Sequence, residues 1–193
     1  MDHLREQQVT SAELCKGNFL QALRDTVRLP DGSFATREYV VHPGAVMVVP
    51  MLRDANGELG LVMERQFRYP LNRVMIEFPA GKLDVGEASL HCAQRELKEE
   101  TGYSATRWAR AGTLHPVISY STEFIDIWFA QGLFPGAQQL DAGEFLDVFI
   151  ATPDQLMHWC RDGLVTDAKT MVAALWLQNV LSGAWALNWQ DIL

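Results

Sequence analysis

The order of its segments predicts an α+β fold in which helices flank a mixed sheet. Three observations carry this. Extended apolar stretches (AVMVVPML, LGLVMERQFR, VMIEF) fill residues 45 to 78. One helical stretch with an apolar and a charged face follows, over about Ala88 to Thr101. Further extended stretches and then two helices complete the order.

The chain has 193 residues, close to half of them hydrophobic, so one main domain with its own core is expected. Residues 1–42 read as an N-terminal segment with a β-hairpin, and residues 43–193 as the main domain. Cys15, Cys92 and Cys160 show no metal-ligand spacing and cannot all pair, which suits a reducing cytoplasm. Cys92 reads as a packing residue. The first residues lack the apolar core of a signal peptide, and no run reaches the length of a membrane span. A net charge of −8 argues against nucleic acid as a partner.

Residues 1 to about 16 are polar and patternless, so loose ordering is expected. Leu29-Pro30-Asp31-Gly32 is a turn signal, and its flanks FLQALRDTVRL and SFATREYVV form a hairpin. Arg37 lies in the second arm, either as a surface residue or as a substrate contact. Two strands follow, AVMVVPML and LGLVMERQFR, joined at Asp54-Ala55-Asn56-Gly57. Alternation at the end of the second puts Arg65 and Phe67 on one face, and Gln66 and Arg68 on the other. Val74 to Phe78 is a strand that Pro79-Ala80-Gly81 breaks. Glu77, within it, is either a functional acid or an inward residue paired with an arginine.

The helix over about Ala88 to Thr101 is built of good helix formers, and Gly102 stands at its C-cap. Leu90, Ala93 and Leu97 form its apolar face. Glu96, Glu99 and Glu100 crowd a second face, where like charges destabilise unless something positive lies among them. A hard divalent cation, Mg²⁺ or alternatively Mn²⁺, takes such oxygen ligands and bridges to phosphate. Arg95 could hold one carboxylate through a bidentate pair. Glu87, at the helix entrance, suits the positive end of the dipole.

Three extended stretches come next: ATRWARAGTLH, STEFIDIWFAQ and GEFLDVFIAT. The gap Gly132 to Ala142 and the segment HPVISYST are candidate active-site loops. His115 is either a general base or structural. A helix capped by Thr152-Pro153 runs to about Arg161, and another from Asp167 to about Leu181.

Gly81, Glu87, Arg95-Glu96-Leu97, Glu99-Glu100, Gly102 and Tyr103, at their spacing, resemble the Nudix box of the Nudix hydrolases. The departure is Tyr103, where an aliphatic residue is commoner. ATREYVVHPGAVMVVPML, VMERQFRYP, IEFPAGKLDVGE, EETGY and DAGEFLDV resemble the ADP-ribose pyrophosphatase, or nucleoside diphosphate sugar hydrolase, branch. The resemblance implies an α/β/α sandwich, and a homodimer built through the N-terminal strands. It implies Glu96, Glu99, Glu100, Glu144 and the carbonyl of Ala80 as metal ligands. Arg95, Glu99, Glu100 and Glu144 are the implied catalytic groups, with Glu144 either ligand or general base. Arg37, Arg68 and Glu77 are implied at the substrate. Some relatives carry a second acid two residues before Glu144, where this chain has Ala142. The implied reaction is Mg²⁺-dependent hydrolysis of a nucleoside diphosphate sugar to a nucleoside monophosphate and a sugar phosphate. The alternatives are a hydrolase of nucleoside triphosphates and an ADP-ribose sensor without turnover.

Overall fold

The computed structural model describes residues 2–192, which form two compact units. The first comprises the chain up to Gly44 together with His115–Phe124, and the second comprises Ala45–Leu114 with the chain from Ile125 onward.

In the first unit a 3₁₀ turn, Asp2–Leu4, leads into an antiparallel sheet of β1 (Gln7–Lys16), β2 (Gln21–Arg28) and β3 (Phe34–Val41). The β2–β3 hairpin turns where the sequence places it. Gly32 N–H donates to the Leu29 carbonyl (2.9 Å), and Asp31 accepts from the backbone N–H of Ser33 (2.9 Å). The expected looseness of residues 1–16 is corrected, because ten of them form β1. All ten side chains are exposed, so there is no alternation to read; the strand exists because the edge of β2 satisfies its backbone. Asp25, buried on β2, accepts from Gln8 (2.8 Å) and from Tyr39 (3.0 Å), which ties the three strands together. The segment HPVISYST is also placed in this unit. It lies along β3, with Val40 N–H donating to Tyr120 (2.9 Å) and Thr122 N–H to Val40 (3.0 Å).

The second unit holds an eight-stranded sheet. Its strands are β4 (Ala45–Arg53), β5 (Leu59–Arg68), β6 (Arg73–Glu77), β7 (Ala80–Lys82), β8 (Tyr103–Leu114), β9 (Ile125–Pro135), β10 (Leu146–Ala151) and β11 (Gln190–Asp191). The order is β10-β5-β4-β9-β8-β11, with β6 on β5 and β7 on β4. Only β4 and β9 pair in parallel, so the sheet is mixed. β4 and β5 pair only where Met51 to Arg53 face Leu61 to Leu59. Beyond that they part, β7 pairing with the start of β4 and β6 with the end of β5. This split lies beside the carboxylates described below. β7 and β11 are too short to leave a pattern in the sequence.

Helix α1 (Ser89–Thr101) packs on one face of the sheet, and α2 (Pro153–Arg161) and α3 (Ala168–Leu181) on the other. Alternation along β4 divides its side chains between them: Val46 and Val48 meet Cys92, Ala93 and Leu97 of α1, while Met47, Val49 and Met51 join Leu156, Ala173 and Leu177. The result is the expected α/β/α sandwich. The caps fall where the sequence puts them. Gly102 ends α1 in the left-handed region, at φ 74°. Thr152 and Gln155 close a capping box on α2, and Asp167 caps α3. Among the described residues no helix is long and apolar enough to cross a membrane.

Candidate active site

The box helix presents Glu96 and Glu100 on its buried side, with Glu99 beside them half-buried. Arg95 is the cation among these acids. It grips Glu87 with two parallel bonds (3.0 and 2.9 Å) and donates to Glu96 (2.8 Å) and Glu99 (3.1 Å). The bidentate partner is thus Glu87, and Glu96 and Glu99 each receive one bond. Arg95 holds the Glu87 carboxyl down at about 2. The stabilisation from that pair is therefore present above the ordinary glutamate range and disappears as pH falls toward about 2. Burial raises the pKa of the Cys92 thiol, which packs between α1 and the sheet, as expected.

Glu100 lies deeper. Its carboxylate accepts the backbone N–H of Ala80 (2.9 Å), so β7 is pinned to the helix. Burial raises its pKa, and repulsion from Glu64, Glu96 and Glu144 adds to this. Glu96 is raised for the same first reason, against the pull of Arg95. A Cβ at Gly81 would meet the Glu96 carboxyl, which would then have to shift.

Strand β5 carries further charged groups felt at Glu100. Gln66 and Arg68 share one face, as alternation predicts. Gln66 donates to Glu144 (3.2 Å), which stands just before β10 and whose charge is felt at Glu96 and Glu100. Arg68 holds Glu77 with two bonds (2.7 and 2.8 Å), and its side chain stays 38% exposed. Glu77 thus pairs with an arginine. It has a second partner that the sequence reading missed, Lys169 on α3, which also binds Asp167 (3.0 Å). Burial raises Glu77, but Arg68 and Lys169 outweigh it and leave the carboxyl lowered. A lysine in the first turn of a helix opposes the macrodipole, and that mismatch was the available signal.

The expected loop Gly132 to Ala142 is corrected at its start, since β9 continues to Pro135. The rest docks on the end of α1. Gln139 N–H donates to the Glu99 carbonyl (2.9 Å), and Gln138 to that of Glu100 (2.5 Å). Arg37 belongs to the first unit, where it holds Glu6 with two bonds (3.0 and 2.5 Å).

One acid at this site was absent from the sequence reading. Glu64 is two residues before Gln66 and so on the same face of β5. It is 0% exposed, and neither carboxylate oxygen has a hydrogen-bond partner among the described residues. Burial raises its pKa, and Glu77 and Glu144 add to the effect. A buried polar group without its partner costs about 1–3 kcal/mol.

These residues fit a divalent cation. Their donors are hard oxygens, two of them orphaned, and Gly81 leaves the room that Glu96 occupies. Among the described residues no three of the acids converge on one point. Arg95 draws Glu96 and Glu99 toward itself.

The profile of the NUDIX domain family matches residues 41–175. The chain belongs to the Nudix family. Residues 6–40 match the nucleoside diphosphate sugar hydrolase N-terminal domain. The ADP-ribose pyrophosphatase of Bacillus subtilis (strain 168) is 33% identical over 180 residues, covering 92% of this chain and 95% of that one. The methanol dehydrogenase activator of Bacillus methanolicus is 34% identical, covering 90% and 92%. The crystal structure of an ADP compounds hydrolase superposes with a TM-score of 0.82 over 94% of this chain and 97% of that one, at 23% identity; the Nudix fold is shared.

Proposed function

We propose that this Nudix protein hydrolyses the diphosphate bond of ADP-ribose or a related nucleoside diphosphate sugar, with Mg²⁺, to a nucleoside monophosphate and a sugar phosphate. The observation that carries the reading is that Glu96 and Glu100 are buried acids of α1, and that partly exposed Arg68, held by Glu77, feels the charge of Glu100. The acids offer ligands for a divalent cation, and Arg68 a guanidinium for phosphate. The match of residues 6–40 and the name of the Bacillus subtilis relative support the substrate class. The activator's name describes an effect on another enzyme and no substrate, so the substrate choice does not rest on it.

In this reading Glu96, Glu99, Glu100, Glu144 and the Ala80 carbonyl hold the cation. A cation held there would supply charge to offset that developing on the phosphate oxygens and would make a nearby water more acidic. Arg68 orients the diphosphate, and Glu77 acts on the substrate by fixing Arg68. Arg95 holds the carboxylates of Glu96 and Glu99 in place. Glu144, held by Gln66, is both a ligand and the acceptor of the water's proton. Arg37 is a substrate contact in this reading.

With ADP-ribose and Mg²⁺, AMP and a ribose phosphate should accumulate in equal amounts, faster than any nucleoside triphosphate is cleaved. Release of pyrophosphate from a preferred triphosphate would refute the substrate class. Glu144→Gln separates its two roles in a Mg²⁺ titration at several pH values. A lost ligand is partly rescued by more metal, whereas a lost proton acceptor lowers kcat at saturation and flattens the acid limb of the rate profile. Wild-type rates throughout would remove Glu144 from the site.

We also propose a homodimer formed through the N-terminal sheet. Edge strand β1 is exposed along its whole length, and Val9, Leu14 and Phe34 stand out from the sheet. Light scattering at micromolar concentration should give twice the mass of one chain, and a monomer would contradict this.

A further inference from the structure

We propose that Glu64 is an additional oxygen donor to the cation held by Glu96 and Glu100, reaching it directly or through one bound water. This rests on reading those glutamates as cation ligands.

Strand β5 runs Leu61, Val62, Met63, Glu64, and all four are fully buried. A fourth apolar residue would fill that position without placing a carboxylate in the core. The acid there has no hydrogen bond to either oxygen among the described residues. The cations nearest to it are already engaged: Arg68 and Lys169 both bind Glu77, which stands directly across the β5–β6 ladder from Glu64.

Its direction is set by the strand. Glu64, Gln66 and Arg68 share a face; Gln66 holds Glu144, whose charge is felt at Glu96 and Glu100, and Arg68 itself feels the charge of Glu100. The charge of Glu64 is felt at Glu100, and that of Glu144 at Glu64. The group is therefore aimed into an acidic cluster, buried and unpartnered, at a place where apolar packing alone would call for no acid. A divalent cation supplies what both orphaned oxygens lack.

The test is Mn²⁺ binding to the full chain, read from the EPR signal of free Mn²⁺, with calorimetry for Mg²⁺. Glu64→Gln removes the charge, and Glu64→Met also removes the polar atoms. Loss of one such donor should weaken binding about 10- to 100-fold in both. The metal-free variants should keep the wild-type circular dichroism and melt no lower than wild type. Binding within about twofold of wild type in either folded variant overturns the proposal, because the loss of a donor is expected to cost at least about tenfold. Loss of the fold in both also overturns it, because Glu64 would then be a structural group. Glu96→Gln is the control for the underlying reading. If it loses Mn²⁺ while the Glu64 variants do not, only the role of Glu64 fails; if it too binds normally, the cluster is not the cation site.

Discussion

Glu96→Gln and Glu100→Gln should each lower kcat about 10³-fold, because a lost ligand removes several kcal/mol of charge stabilisation in the transition state. The same changes should leave the fold intact and raise the melting temperature of the protein in EDTA. Glu100 is buried at 3% exposure among Glu64, Glu96 and Glu144, and its pKa is raised. A carboxyl raised on folding binds its proton more tightly in the folded state. Its contribution to stability is thus retained below the ordinary glutamate range and declines as pH rises above it. Metal-free wild type should therefore lose stability between mildly acidic and neutral pH, and Glu100→Gln should lose less. Adding Mg²⁺ should stabilise the wild type and not the variants. Near-normal Mg²⁺-dependent turnover in both variants would remove the α1 carboxylates from catalysis.

Lys169→Met should be the most damaging change to stability. Its ammonium bridges Glu77 and Asp167 with a side chain 13% exposed, and Glu77 is 3% exposed. Removing one member of a buried charge network costs roughly 3–5 kcal/mol, since the remaining charge loses its partner. For a chain of this size that is about a 10 °C fall in Tm. Function should suffer separately. Arg68 shares Glu77 with Lys169, so loss of the lysine changes how firmly its guanidinium is held, and KM should rise more than kcat falls. Lys169→Met combined with Glu77→Gln should recover part of the stability, because the uncompensated charge is gone. A Tm within about 2 °C of wild type would show that Arg68 alone satisfies Glu77.

Lys169 also marks a limit of reading the chain in one dimension. Its partner lies 92 residues earlier, and the pairing exists because the start of α3 is laid against the end of β6. Thr170 Oγ1 makes the same join, accepting from Phe78 N–H (3.2 Å) while donating to Asp167 (2.7 Å). No local pattern encodes such contacts.

Taken alone, the sequence determined the helix that carries Glu96, Glu99 and Glu100, with its glycine cap, the two capped helices near the end, and the main strands. These follow from propensity, side-chain period and turn chemistry within a few residues of each position. It also determined the spacing of Gly81, Glu87, Arg95 and the glutamates. Tertiary structure alone decided four things: the pairing of a patternless β1 with β2, the split of β4 from β5 that admits β7, the choice of Glu87 as the bidentate partner of Arg95, and the burial of Glu64 without a partner among the described residues. Each depends on what another segment places nearby, and a strand's alternation says which face a side chain takes but not what waits there.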